Sequence, residues 1–245
     1  VRKPLAQGLS WLSWLGVIPQ RLILFPFETE WGEALFDGEY DPADYNGEKL
    51  TMGAVKLVAD GSIQGYTGYL SEPYFTPYHG DANYRGYPTL SREELFAQVE
   101  ALHKAGYQLA IHGNGDAAIE DILDAFEAAQ KVHPVEDPRM ILIHAQMARE
   151  DQIARMKALG VTPSFFTAHT WYWGDRHRDI FLGPQRAAQI SPSKWALDYG
   201  LHFSSHLDTP VTPMQPLQAV WSQVFRETTS GDVLGPQQRI SVMDA

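Results

Sequence analysis

Short apolar runs alternate along this chain with longer stretches whose apolar positions recur every three or four residues. Six runs predict strands: Arg21–Phe25, Ala54–Val58, Gln108–His112, Met140–His144, Val161–Phe166 and Leu201–Ser205. Each is bounded by turn residues and nearly continuous in apolar character, the pattern of a strand buried on both faces. The stretches between them carry helix signals. Ser91-Arg92-Glu93-Glu94 predicts a capping box, followed by Leu95, Val99 and Leu102 on one face and Gly106 as the stop. Ile119, Ile122, Leu123 and Phe126 form a second stripe, ending near Pro134. Ile153, Met156 and Leu159 form a third, ended by Gly160, and Leu217, Val220, Trp221 and Val224 form a fourth. Strand–helix alternation of this kind implies a parallel sheet and an α/β fold.

Two stretches break the pattern. Gly61 to Pro88 is rich in Gly, Tyr, Pro and Ser and has no clear period, which predicts an ordered loop over a site. Trp171 to Pro184 is aromatic and charged and reads as a second long loop.

Composition narrows the function. The 245 residues include no cysteine, which excludes disulfide scaffolds, thiolate metal sites and cysteine nucleophiles and suits the cytoplasm. A formal charge of −11 argues against a nucleic-acid partner. No run approaches the roughly 18 apolar residues of a membrane-spanning helix, so no membrane partner is expected.

The polar residues at strand ends are the candidate chemistry. His112 and His144 close consecutive predicted strands, and Asp208 follows the last one. Their spacings, about 32 and about 64 residues, match one and two βα units of roughly 30 residues each. In a (β/α) barrel such points converge on the C-terminal face, where active sites lie. Lys56 sits inside an apolar strand, where an unpaired ammonium is costly. It is either a reactive amine or a lysine paired with Asp60 or another carboxylate. Together Lys56, His112, His144 and Asp208 predict a nitrogen- and oxygen-ligated divalent metal such as zinc, with Asp208 moving the proton between water and a leaving nitrogen.

Other residues take supporting readings. His169 follows the fifth strand and either stabilises an oxyanion, orients substrate, or is an ordinary polar loop residue. His206, two residues before Asp208, reads as a group supporting the ligands. His177 and Trp173 are candidates for the substrate mouth. Arg176 and Arg178 either bind a substrate carboxylate or pair with Asp175 and Asp179. Tyr66, Tyr69, Tyr74, Trp171, Tyr172 and Trp173 suggest an apolar or aromatic group near the scissile bond, or ordinary packing. His79, His103, His133 and His202 read as surface residues.

At these residues the chain resembles the amidohydrolase superfamily, and within it the YtcJ-like branch (amidohydrolase family 3) that includes N-substituted formamide deformylases. The resemblance is carried by Gly53-Ala54-Val55-Lys56-Leu57-Val58-Ala59-Asp60-Gly61-Ser62, His112-Gly113-Asn114-Gly115-Asp116, Ile143-His144-Ala145-Gln146 and His206-Leu207-Asp208-Thr209-Pro210-Val211. Tyr172-Trp173-Gly174-Asp175-Arg176-His177-Arg178 and Val233-Leu234-Gly235-Pro236 add to it. It implies a metal-dependent (β/α)8 TIM-barrel hydrolase acting on a small molecule through a non-peptide C–N bond of amide or formamide type. Lys56 would be a fourth-strand ligand, able to carry a carbamate. His112 and His144 would be the fifth- and sixth-strand ligands, and Asp208 the eighth-strand acid/base and ligand. Asp60 and Asp116 would support them, and a homodimer is an expected assembly. The family begins its barrel with a His-x-His pair, and this chain has none. It also lacks sequence for the family's small β-sandwich subdomain. Residues 1–245 are therefore expected to form one partial catalytic barrel domain, about strands three to eight, cut from a longer protein. Two other readings follow from the residues alone. One is an inactive barrel remnant that binds a small molecule or a protein. The other is a metal-independent enzyme using Lys56 as a Schiff-base amine.

Overall fold

The computed structural model of the chain describes every residue except Gly38. Five parallel strands follow one another in chain order in a single sheet: β3 (Val55–Val58), β4 (Leu109–Gly113), β5 (Ile141–His144), β6 (Thr162–Phe165) and β7 (Ser204–Ser205). Before them, β1 (Leu22–Leu24) and β2 (Leu50–Met52) form a parallel pair. This pair meets the larger sheet through a parallel bridge between Phe27 and Lys56 and a 2.8 Å bond from Lys56 N to Pro26 O. The result is an α/β wall of consecutive parallel strands, the expected fold class, with seven strands among the described residues rather than six. The extra strand is β2, and the last predicted strand shrinks to Ser204–Ser205.

Helices supply the crossovers. They are α1 (Lys3–Trp14), α2 (Glu28–Trp31), α3 (Arg92–Lys104), α4 (Asp116–Val132), α5 (Glu150–Leu159), α6 (His169–Arg176), α7 (Gly183–Ala187), α8 (Ser193–Asp198) and α9 (Pro216–Phe225). The predicted capping box forms: Ser91 Oγ accepts from Glu94 N, and Glu94 Oε2 accepts from Ser91 N at 2.8 Å. Gly160, at φ +69°, ends α5 in the left-handed conformation that glycine adopts without strain. Ile119, Ile122, Leu123 and Phe126 of α4 are fully buried and join Leu109, Ile111 and Leu142 in the main core.

Two expectations are corrected. Trp171–Pro184 is not a loop: α6 runs into a π-helical turn over His177–Phe181 and then α7. Phe181, Leu182, Ala187 and Ile190 there pack with Ile63, Leu70 and Tyr74 in a second apolar cluster. The 61–88 excursion is therefore a packed layer. His103 is not a surface residue; it is buried, with Nε2 2.7 Å from the His133 carbonyl oxygen. Among the described residues no helix is long and apolar enough to cross a membrane.

Candidate active site

A cavity of about 820 Å³ opens over one face of the strands. Side chains alternate along a strand, and paired residues in a parallel ladder share a face. Lys56 is paired with Ala110, Val58 with His112, His112 with Ile143, Ile143 with Ser164, and Ser164 with Ser204. Lys56, Val58, His112, Ile141, Ile143, Ser164 and Ser204 all line the cavity, as this register demands. Ile23, Leu24, Phe25 and Phe27 add an apolar stretch.

His144 breaks the alternation. It pairs with Gly113 and Phe165, so a regular strand would aim it away from the cavity with Leu142. Its φ of +73° ends the strand and turns the ring back. The His144 and His112 ring centroids are 4.4 Å apart, and those of His144 and His206 are 4.8 Å apart. His206 Nε2 lies 3.1 Å from His144 Nδ1, and His206 Nδ1 lies 2.9 Å from Ser164 Oγ. Asp208, at φ +52°, stands at the exposed rim of the same cavity.

Burial and crowding of like charge hold these imidazoles neutral. His112 is pushed down to about 4 by burial and then by the Lys56 charge. His206 is pushed down to about 4 by burial, Lys56 and His112. His144 lies well below the ordinary value for the same reasons. Burial lowers Lys56 to about 8, partly opposed by Asp208. Asp208 is raised by burial and held back by Lys56.

Asp60 is fully buried behind this surface and does not form an ion pair with Lys56. Its carboxylate accepts from Asn114 N (2.9 Å), Gly115 N (2.8 Å) and Tyr69 N (2.9 Å). Burial raises it to about 7 against the pull of these three amides. His112 Nε2 lies 3.5 Å away, 3.2 Å from Gly61 O and 3.1 Å from Asn114 Nδ2. Asp60 thus ties the ends of β3 and β4 to the 61–88 layer. Asp116, at the start of α4, accepts from Ser71 N (2.9 Å) and Arg149 Nη1 (3.3 Å) and so anchors the same layer.

The remaining candidates lie away from the cavity wall. His169 and His177 are buried side by side, with His169 Nδ1 3.3 Å from His177 Nε2. His169 also packs edge-on against Phe166, whose ring stacks on His206. Trp173 covers His169 at a centroid distance of 4.8 Å. Tyr74 is buried in the second cluster, its hydroxyl donating to Gly68 O, and burial raises it. Arg176 is exposed, while Arg178 pairs with Asp175, Asp179 and Asp232. None of Tyr66, Tyr69, Tyr74, Trp171, Tyr172 and Trp173 lines the cavity; its aromatic wall is Phe25 and Phe27. The apolar run from Ile23 to Phe27 was the signal that could have found that wall.

The model of the family described as "Amidohydrolase family" matches residues 19–245. This chain belongs to the amidohydrolase family. Every cavity residue from Ile23 to Thr209 falls inside the family match. Among curated proteins, the chain is 31% identical over 189 residues to the putative amidohydrolase YtcJ of Bacillus subtilis (strain 168), covering 75% of this chain and 33% of that protein. It is 29% identical over 196 residues to the N-substituted formamide deformylase of Arthrobacter pascens, covering 80% and 35%. The chain thus spans about a third of the length of these amidohydrolase relatives. Two solved structures of uncharacterized metal-dependent hydrolases are also similar. The one from Pyrococcus furiosus aligns with a TM-score of 0.76 at 26% identity, covering 96% of this chain and 46% of that one. The one from Pyrococcus horikoshii OT3 aligns with a TM-score of 0.76 at 28% identity, covering 97% and 46%.

The amidohydrolase donor set fits a divalent metal in its chemistry. It offers neutral imidazoles with lone pairs, a partly deprotonated amine and a carboxylate around one cavity. Among the described residues no three His, Asp or Glu side chains converge as ligands in this arrangement. The ring nitrogens are instead engaged with each other, with Ser164 and with the Gly61 carbonyl.

Proposed function

We propose that this chain carries part of the site of a metal-dependent hydrolase that cleaves a non-peptide C–N bond, of amide or formamide type, in a small molecule. The observation that supports it best is the gathering of Lys56, His112, His144 and Asp208 around one cavity. These four would hold the metal, with zinc favoured by the nitrogen and oxygen donors. A bound divalent ion would lower the pKa of water and polarise the carbonyl. The chain's own groups do the rest. Asp208, raised from its ordinary value by burial, takes a proton from the attacking water and returns it to the leaving nitrogen. Lys56, lowered to about 8, keeps a neutral fraction that can add CO2 and release a proton, giving an anionic carbamate. His206 supports His144 through its 3.1 Å contact. His169, packed behind Phe166, is assigned as the second catalytic group.

The test uses the full 245-residue chain. Zinc binding is followed by calorimetry and hydrolysis by product release from a panel of N-substituted formamides. His144→Ala should weaken zinc binding by at least tenfold, and Asp208→Asn should abolish turnover even at zinc concentrations that saturate the site. Full turnover of the metal-stripped chain would overturn the reading. Zinc binding with no hydrolysis by any variant would favour a non-catalytic binding module.

A further inference from the structure

Behind the cavity, four buried groups from separate elements meet. Gln146 follows β5, Phe166 follows β6, His169 opens α6, and His177 opens the π-helical turn. His177 is entirely inaccessible and Gln146 and His169 nearly so. Short π turns recur at functional sites, because the widened helix re-aims the side chain at its start. Here that side chain is His177. Its Nε2 has two neighbours, Gln146 Nε2 at 3.1 Å and His169 Nδ1 at 3.3 Å.

The proton positions follow from what each atom can do. With the Gln146 amide in this orientation its nitrogen donates, and His177 Nε2 presents its lone pair to it, while Gln146 Oε1 and His177 Nδ1 have no partner among the described residues. His177, buried and neutral, then carries its proton on Nδ1. His169 Nδ1 faces the same lone pair. A second lone pair there would repel it, so His169 Nδ1 carries a proton and shares the acceptor. His169 is also buried and neutral, which leaves its Nε2 bare.

We infer that Gln146 and His177 are positioning residues that fix the His169 proton on Nδ1, so that His169 acts through Nε2 as an acceptor. It therefore orients a substrate N–H and does not stabilise an oxyanion, which requires a donor. This rests on the reading of His169 as the second catalytic group. The substrates that fit are secondary amides, which keep an N–H, rather than fully N-substituted ones.

The proton positions can be read without substrate or metal. The full chain is labelled with 15N-histidine, and two-bond 1H–15N correlations report the tautomer of each ring. His169 is assigned by comparison with His169→Gln. Wild type should show His169 as a single species protonated on Nδ1. Gln146→Met keeps side-chain size and removes the donor, and should turn that single species into a mixture. A wild-type His169 protonated on Nε2, as a reversed Gln146 amide would give, overturns the inference. So does a Gln146→Met spectrum with the His169 tautomer unchanged. If that variant does not fold, the wild-type spectrum alone decides. Absence of hydrolysis would sink the proposed function and leave the tautomer result standing, and the converse also holds.

Discussion

Gly115→Ala isolates the clamp that ties the 61–88 layer to the ends of β3 and β4. The backbone at Gly115, φ −76° and ψ 148°, is open to any residue, so alanine brings no conformational strain there. The obstacle is space. An added Cβ would lie 1.8 Å from Tyr69 O and 2.4 Å from Tyr69 C, against backbone and not against a flexible side-chain tip. The Tyr69 segment must retreat by more than an ångström, taking Tyr69 N away from Asp60 Oδ2 and straining the 2.8 Å bond from Gly115 N to the same oxygen. Asp60 is completely buried, so water does not replace what is lost. Two hydrogen bonds to a charged group at about 1.5–3 kcal/mol each give a loss of about 3–6 kcal/mol. Urea unfolding at about pH 8, where the carboxylate is ionised, measures this as a fall in midpoint at unchanged slope. Gly8→Ala is the control. Gly8 lies within α1 with nothing inside 4 Å of its added Cβ, and alanine there should stabilise by about 0.5–1 kcal/mol. A Gly115→Ala loss below about 1 kcal/mol would refute the clamp.

Acid should destabilise the chain through its buried histidines, partly offset by Asp60, whose carboxyl is raised to about 7 and so favours the folded state as pH falls. His112 and His206 are lowered to about 4 and His177 to about 3, so the unfolded chain binds more protons between those values and about 6.5. Stability is then full above about pH 6.5 and falls as pH drops through that window, by about 2 kcal/mol per histidine at about pH 5. Urea midpoints at about pH 7.5 and pH 5 check the sign, and equal midpoints would contradict the assigned burial. Arg226 is fully buried and, among the described residues, donates only to the carbonyls of Leu234, Ile190 and Ser191. Arg226→Met should cost about 3 kcal/mol in the same assay, and Arg226→Lys should recover less than half because an ammonium does not span the fork. Phe126→Ala, in the fully buried stripe of α4, should cost about 3–5 kcal/mol and leave zinc binding by the folded chain unchanged.

The parts of the fold legible in the sequence are those whose local pattern and tertiary burial agree. Runs such as Leu109-Ala110-Ile111 are apolar on both faces because both faces are covered, and Ser91 and Glu94 satisfy each other locally. The three residues of β2 are too few to show a period. α6 to α7 contains Gly174, Gly183 and Pro184 and becomes helical because its apolar side packs on Ile63, Leu70 and Tyr74, residues about 100 positions away. The site divides in the same way. Lys56 and His112 could be read as polar residues on a buried strand, and their facing follows from the register. The facing of His144 could not, because it depends on a left-handed backbone at a non-glycine residue. Trp173, Arg176 and Tyr74 drew attention by residue type, and type does not encode distance from the cavity.

The lengths of the ladders also rank how readily each part of the site comes loose. β4 and β5 are paired on both sides over four residues, whereas β7 holds two residues on one neighbour. Backbone amides around His112 and His144 should therefore exchange with solvent only in rare, large openings, and those of β7 in frequent, small ones. Asp208 lies beyond β7, so the proposed acid/base is attached, with His206, to the most weakly paired strand of the five, while His112 and His144 sit on the most strongly paired. In the native ensemble the two would part company and rejoin many times for each global unfolding. A second strand against the free side of β7, from any source, would slow that exchange and hold the carboxylate at its post.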